Sequence, residues 1–338
     1  MTLPHTVPTD PGTIWTKDPD PAIDTPPDAE TDPAPEDRWP PSAVRTGIYG
    51  VVTPHVGPAP SGGWRMYYTQ ILPREGHPAG ANDYDNATTR IVSAASADGS
   101  SWSPEAGIKL TAAQGGAGDY RVVSPEVVPL SDGSGRLRMY FECNPGAQSV
   151  ASSIRSALSA DDGSTWTVES GERFSLGGSY NSPRIIILDD GRWRLYCGDR
   201  GVGIVSAISE DGGLTFQREP GERIIPTTSY EAMTSFAPEV LRIAGGGYRM
   251  YFAGYSAMDC AHVLSATSQD GLHWDKEPEP VIAPGSPLDR SKCSEMCVMP
   301  LAHLPGKAPR YRMFYEACDG TAAQKRGVWR IVSATSGK

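Results

Sequence analysis

One phrase is written four times along this chain and begun a fifth time. RIVSAASADGSSW runs from Arg90 to Trp102, IRSALSADDGSTW ends at Trp166, IVSAISEDGGLTF at Phe216 and VLSATSQDGLHW at Trp274, and RIVSATSGK stops at the C-terminus. Each copy is an apolar run entering Ser-Ala, then an Asp-Gly turn, then an aromatic residue. A long-period repeat of this kind means that no unit can bury its own apolar face, so neighbouring units must cover one another.

The repeat has an upstream half. Short alternating aromatic runs precede each phrase: WRMYYT from Trp64, LRMYFE from Leu137, WRLYCG from Trp193, YRMYFA from Tyr248 and YRMFYE from Tyr311. Ahead of these stand YGVVTPHVG, VVSPEVVPL, NSPRIIIL, SFAPEVLRI and CSEMCVMPL, usually separated from the aromatic run by a Gly-rich or Asp-Gly turn, as in LDDGRW. Period-two alternation bounded by such turns predicts antiparallel hairpins. Four strands per unit, recurring at roughly 50–70 residues, predict an all-β chain folded as a five-bladed β-propeller of four-stranded blades.

The fifth unit lacks its outer strand, and GTIWTKDPDPAI (12–23) copies GLHWDKEPEPVI (271–282). The N-terminus is therefore expected to supply that strand and close the ring, removing an exposed edge. The resulting division is a single domain, 1–338, with 12–23 as the outer strand of blade five and 24–46 as an extended connector. Blades one to five then occupy 47–110, 111–175, 176–226, 227–283 and 284–338.

Composition narrows the function. A formal net charge of −10 with no Lys/Arg run argues against nucleic acid and anionic membrane partners. No window approaches the roughly 20 apolar residues of a membrane span. The N-terminus has neither a basic nor an apolar leader, which predicts a cytoplasmic protein. The six cysteines are read as reduced, mostly buried thiols, since Cys293 and Cys297 lack zinc-knuckle spacing and no His pair accompanies them. Neither a metal nor a cofactor is expected, the partner is a small molecule, and the oligomeric state is left open.

The segment Ser159 to Trp166, SADDGSTW, resembles the Asp-box of sialidases and related propellers; Ser209 to Phe216 matches it, and the copies at Ser96 and Ser268 are one residue shorter. Such a box is a turn device whose Asp caps backbone amides. The whole plan resembles the five-bladed glycosidases, namely arabinanases, β-xylosidases and invertase-like enzymes. That resemblance implies a sugar substrate and catalytic carboxylates at one end of the central channel. The family's Asp residues stand directly before the Pro of the inner strand in the first two blades, where this chain has Thr53 and Ser124. The family's acid Glu falls on Asn181, so the family triad does not carry over. The invertase-like Glu-Cys pair occurs as Glu142-Cys143, but on the second strand.

Register locates the candidate site. Ten residues before Arg65, Arg194 and Arg249 lie His55, Arg184 and Glu239, and Glu126 takes the same place in blade two, where the turn is longer. In blade five the place falls to Glu295 or Met296. Four residues after each arginine come Thr69, Glu142, Gly198, Ala253 and Glu316. Carboxylates converging with an arginine between them acquire separated pKa values, the requirement for an acid and a base. The candidate catalytic residues are thus Glu126, Glu239, Glu142 and Glu316. His55, Arg184, Glu295, Arg121 and Tyr120 (in GDYRVVSPE), and Asp199 and Arg200 (in CGDRG), are candidate substrate contacts. The alternative reading of Glu126 and Glu239 is as inter-blade ion pairs with Arg184 or Arg121. The arginines Arg65, Arg138, Arg194, Arg249 and Arg312 recur in every unit and read as scaffold.

The leading expectation is a glycoside hydrolase-like enzyme acting on a small glycoside or glycosylated metabolite, with Glu126 and Glu239 as its pair and the segment 70–90 as a candidate lid. A lyase, isomerase or cyclase of specialised metabolism using the same carboxylates, or a non-catalytic carbohydrate-binding propeller, are the alternatives.

Overall fold

Alternating aromatic and β-branched runs bounded by Gly-rich turns leave the chain few options besides short antiparallel strands. The computed structural model describes residues 9–24, 49–73, 87–147, 150–301, 309–321 and 327–337. These residues are all-β apart from a helical turn at Ala112–Gly115 and a 3-10 turn at Ser229–Glu231. The connector expected at 24–46 falls, beyond Asp24, outside the described residues, as does most of the candidate lid (74–86).

Among the described residues, successive strands pair antiparallel in five runs, two of them separate four-stranded sheets and the rest joined in one 13-stranded sheet; in each run, here called a unit, the first strand is called inner and the last outer. The first unit contains β2 (Tyr49–Pro58), β3 (Trp64–Pro73), β4 (Ala87–Ser96) and the short β5 (Ser103–Pro104) and β6 (Leu110–Thr111). The second contains β7 (Arg121–Pro129), β8 (Leu137–Asn144), β9 (Ser153–Ser159) and β10 (Thr167–Val168). The third contains β11 (Tyr180–Ile187), β12 (Trp193–Asp199), β13 (Gly203–Ser209) and β14 (Gln217–Arg218). The fourth contains β15 (Thr234–Arg242), β16 (Tyr248–Ala257), β17 (Cys260–Ser268) and β18 (Asp275–Lys276). The fifth contains β19 (Lys292–Pro300), β20 (Tyr311–Cys318) and β21 (Val328–Ser336), and its outer strand is β1 (Trp15–Lys17), which pairs Trp15 with Ser336 and Lys17 with Ala334.

The N-terminal segment reproduces the outer-strand contacts one by one. Trp15 Nε1 donates to Gly12 O at 3.3 Å, as Trp274 Nε1 donates to Gly271 O at 3.2 Å. Trp15 meets Tyr251 edge-on at 5.7 Å, as Trp274 meets Tyr196 at 6.1 Å. Ile23 bridges Ile331 where Phe174, Ile224 and Ile282 bridge the third strands of units two to four. Asp18 receives the Ser333 hydroxyl at 2.6 Å, a place held elsewhere by Glu105, Glu169 and Glu219.

The recurring arginines clasp one unit to the next. Arg138 donates to Gly212 O at 2.7 Å, Arg194 to Asp270 O at 3.2 Å and Arg312 to Gly99 O at 3.0 Å, and Arg65 donates to Asp162 O. In the fourth unit the clasp closes on the N-terminal segment, where Arg249 binds Asp10 at 2.6 Å. Arg312 thus joins the fifth unit to the first. The tyrosine two residues on adds a second tie, with Tyr140 and Tyr196 hydroxyls reaching Gly213 O and Gly271 O at 2.8 Å. A Cβ at Gly213 would collide with the Tyr140 hydroxyl, so the Asp-Gly turn needs its glycine for closeness as well as for its positive φ. The turn Asp behaves as a cap: Asp161 accepts from Thr165 N–H at 2.9 Å and Ser159 Oγ accepts from Gly163 N–H at 2.9 Å.

First and fifth units also meet through a parallel bridge between Gly50 and Trp329, at a separation that leaves no room for a Cβ on Gly50. The thiols are free, with five of the six buried and Cys260 half-buried.

Deleting residues 1–24 should strip β1 from β21 and open the Arg249 clasp. Trp15 is half-buried, so its loss belongs at the low end of the roughly 3–5 kcal/mol of a buried Trp truncation. Thermal unfolding of the truncated protein should shift down by many degrees, whereas an unchanged melting curve would show the segment to be dispensable.

Candidate active site

Every inner strand breaks register once. The shifts fall between Val52 and His55, Val123 and Glu126, Asn181 and Arg184, Phe236 and Glu239, and Cys293 and Met296. In units one to four the break carries a residue with left-handed φ, at 55° for Thr53 and Ser124, 51° for Ser182 and 53° for Ala237, followed by proline. Strained positions of this kind persist only where the surroundings over-determine them. The register places His55, Glu126, Arg184 and Glu239 opposite Tyr67, Tyr140, Tyr196 and Tyr251, as the counting from the arginines expects.

The fifth unit departs from that counting. The residue opposite Phe314, the equivalent of those tyrosines, is Cys297, and not Glu295 or Met296. The β19–β20 turn is longer and the fifth unit has no proline at its break, and the expected Glu295 or Met296 lies one or two residues before Cys297. Glu295 instead occupies the place of Thr53, Ser124, Ser182 and Ala237. Backbone bonding agrees: Glu126 accepts from Ile185 N–H at 3.1 Å, Glu239 from Val298 N–H at 2.8 Å and Cys297 Sγ from Val56 N–H at 3.2 Å. Each of these three side chains receives the amide of the following unit's inner strand.

Arg184 sits at the centre of this level. Its Nε lies 2.9 Å from Glu239 and 3.8 Å from Glu126, and its Nη2 donates to Met296 O at 3.0 Å and Pro54 O at 3.5 Å. Its Nη1 donates to Pro183 O at 2.9 Å, and its Nη2 lies 4.0 Å from Glu295 Oε1. One guanidinium therefore touches groups from all five inner strands. Burial alone would lower its pKa, yet Glu126, Glu239 and Glu295 raise it. Burial pushes Glu126 up, but His55, with Nδ1 2.7 Å from its Oε2, together with Arg184 and the Ile185 amide brings it below the usual range. Burial keeps Glu239 raised despite Arg184.

A cavity of about 280 Å³ opens at the starting ends of the inner strands. Among the sequence candidates, Glu142, Glu295, Glu316, Asp199 and Arg200 line it; Glu126, Glu239, His55, Arg184, Arg121 and Tyr120 do not. The expected Glu126–Glu239 pair thus lies off the cavity, with its oxygens committed to backbone amides, His55 and Arg184. Arg121 is wholly buried, donating to Gly146 O at 3.0 Å and stacking on half-buried Tyr120. Asp199 is paired with Arg218 at 2.9 Å, and Arg200 is exposed at the rim.

Three carboxylates remain on the cavity. Burial pushes Glu142 up to about 7 against the pull of Arg200 and Arg121, with Glu295 adding repulsion. Burial and the Glu295 charge push Glu316 up to about 8, although Ser294 Oγ at 2.5 Å and Thr53 N–H at 3.1 Å bind it. Burial raises Glu295 too, opposed by Arg184, Ser124 and the Ser182 hydroxyl at 2.8 Å. Glu142 and Glu316 are thus held well above the ordinary carboxylate range beside Glu295, which burial also raises and which Arg184 and Ser182 pull back.

Counting missed Ser182, Asn181, Lys292 and Trp329, which also line the cavity. Lys292 lies over the rings of Tyr255 and Trp329 at 5.6 and 5.3 Å. Asn181 owes its position to Gly198, since a Cβ there would collide with the Asn181 amide. The missing proline of CSEMC was a visible sign that Glu295 is special.

No family model and no curated protein matches this chain. Solved structures do. A glycosyl hydrolase from Bacteroides ovatus matches with a TM-score of 0.66 at 13% identity, covering 98% of this chain and 95% of its own. A β-xylosidase matches with a TM-score of 0.59 at 14% identity, covering 86% of this chain and 92% of its own. An N-acetylgalactosamine deacetylase from F. plautii, solved with blood group B trisaccharide, matches with a TM-score of 0.62 at 15% identity, covering 93% and 95%. The chain therefore shares the all-β fold of these carbohydrate-active proteins. At such identities the likeness concerns the fold.

Two outcomes test the electrostatics. Arg184→Met leaves three buried carboxyls without their cation and should cost about 3–5 kcal/mol in urea unfolding at neutral pH, with part of the loss recovered at pH 5 as they protonate. Because native Glu142 keeps a proton that the unfolded chain releases, its contribution to stability should fall from about pH 4.5 to about pH 7. The Glu142 share, on the order of 3 kcal/mol, should vanish in Glu142→Gln, whose melting temperature then declines less steeply over that window. Parallel declines would show that Glu142 ionises as in an open chain.

Proposed function

We propose that this chain is a five-bladed β-propeller enzyme of the glycoside hydrolase type, with blades at 47–110, 111–175, 176–226, 227–283 and 284–338 and the ring closed by 12–23. Its substrate is a small glycoside or glycosylated metabolite. The observation that carries this reading is the trio Glu142, Glu295 and Glu316 on one cavity, two of them raised to about 7 and about 8 beside a third supported by Arg184. Separated proton affinities are what a glycosidic cleavage asks of two carboxyls, one to protonate the leaving oxygen and one to act as base or nucleophile. Glu142 takes the acid role, Glu295 the base or nucleophile role, and Glu316 holds a second proton beside Glu295.

The resemblance to arabinanase-like enzymes supports Glu295 in particular. Their carboxylates stand directly before the inner-strand proline, the place Glu295 takes in the fifth unit, while Thr53 and Ser124 stand there in the first two. In this reading the carboxylate has moved between units, and the fold tolerates such moves because chemistry lives in grafted residues. A second reading, proton-transfer chemistry of the lyase or isomerase kind, is favoured by the aromatic side of the cavity, where Phe236, Tyr255 and Trp329 stand.

A panel of aryl and methyl glycosides, pentosides and hexosides included, tests the reaction class; turnover of none would overturn it. On any substrate cleaved, Glu142→Gln should lower kcat/KM by about 10²–10⁴. Glu126→Gln should remain active wherever it stays folded. Activity should fall as pH rises through about 7, when Glu142 loses its proton.

A further inference from the structure

The cavity is not uniform around its circumference. The break and second-strand positions of the five units are Thr53, Ser124, Ser182, Ala237 and Glu295, and Thr69, Glu142, Gly198, Ala253 and Glu316; of these, Thr53, Ser124, Ser182, Glu295, Glu142 and Glu316 line the cavity. The fourth unit alone has alanine at both, and neither Ala237 nor Ala253 reaches the cavity. Its inner strand adds Phe236, tilted against Tyr255 at 5.5 Å, where the third unit has Asn181. Beyond these, Met233 and Met258 stand 50% and 65% exposed and line the same cavity. No other exposed large hydrophobic among the described residues does so.

The loop carrying Met233 is built to hold it there. Glu231, fully buried, accepts from the Thr227 amide at 3.1 Å, the Thr228 amide at 3.3 Å and the Ser235 hydroxyl at 2.5 Å, and pairs with Lys276. Met233 N–H then donates to Tyr255 O at 2.9 Å, so the exposed thioether is presented by a fixed backbone. An apolar side chain that is half or more exposed on the cavity and held there by a fixed backbone adds little to the core. It is suited to a ligand, and methionine adapts its shape to what it meets.

We propose that the fourth-unit wall is an aglycone site: the substrate is amphipathic, with its sugar facing Glu142, Glu295 and Glu316 and an apolar, preferably aromatic, group lying against Met233, Phe236 and Met258. The proposal rests on the glycosidase reading for the identity of the sugar end, but the wall's affinity for an apolar group does not require turnover.

Calorimetric titration of the full chain with 4-methylumbelliferone, an aryl aglycone without its sugar, tests the wall directly. Saturable binding at one site is expected. Met233→Ser/Met258→Ser should weaken it about ten-fold, while Leu214→Ser, an exposed apolar residue off the cavity, should leave it unchanged. Both methionines are exposed, so the double variant should keep its melting curve. Absence of saturable binding, or equal binding in the double variant, would overturn the proposal whether or not any glycoside is cleaved. If glycosides are cleaved, the aryl-over-methyl preference in kcat/KM should shrink in the double variant; a preference that stays the same also counts against the wall. Failure of hydrolysis with the titration result intact would sink the glycosidase reading and leave the apolar site standing.

Discussion

A single guanidinium holds the middle of this molecule. Arg184 reaches carbonyls or carboxylates from all five inner strands, and two of its partners, Glu126 and Glu239, pass the constraint outward by accepting amides from the next unit. Desolvating so many charges is expensive, and the cost is offset by the Arg184 ion pairs and by the amides that Glu126 and Glu239 accept. The inner strands are thereby fixed in register, and the residues at their breaks are fixed with them.

The same cation divides the interior into two electrostatic levels. At its own level, Glu126 is drawn below the ordinary carboxylate range by His55 and Arg184 despite burial. At the level of the cavity its influence is felt chiefly by Glu295, at 4.0 Å, and burial prevails at Glu142 and Glu316. Glu239, although 2.9 Å from Arg184, stays raised by burial, and of these carboxyls only Glu126, which also has His55, falls below the ordinary range. The fourth unit, which contributes no carboxylate to the cavity, supplies an apolar wall, so polarity is graded across the site as well as along its depth.

Much of this is legible in the order of the residues. The copied phrases mark the strands, the Asp-Gly turns their hairpins, and the likeness of 12–23 to 271–282 the partner of β21, because each rests on local pattern and a repeat makes local pattern redundant. Counting from the arginines finds Glu142 and Glu316, and Asp199 and Arg200 follow the equivalent Gly198. Counting finds Glu126 and Glu239 as well, but it cannot say whether a carboxylate on an inner strand faces open space or a neighbouring amide. Cys297 escapes it because the fifth unit's longer turn and absent proline move its break relative to the partner strand.

The sequence by itself determined the all-β repeat, the four-strand unit and the N-terminal segment that completes the last one, since strand period and turn chemistry act over a few residues. Only the tertiary structure decided which carboxylates meet the cavity, which are held by backbone amides, and that Glu295 shares a place with Thr53, Ser124 and Ser182. Those outcomes depend on a bulge that shifts register by one residue and on contacts between strands far apart in the chain. A one-residue shift exchanges a side chain facing the cavity for one facing a neighbour, and no local pattern records which has occurred.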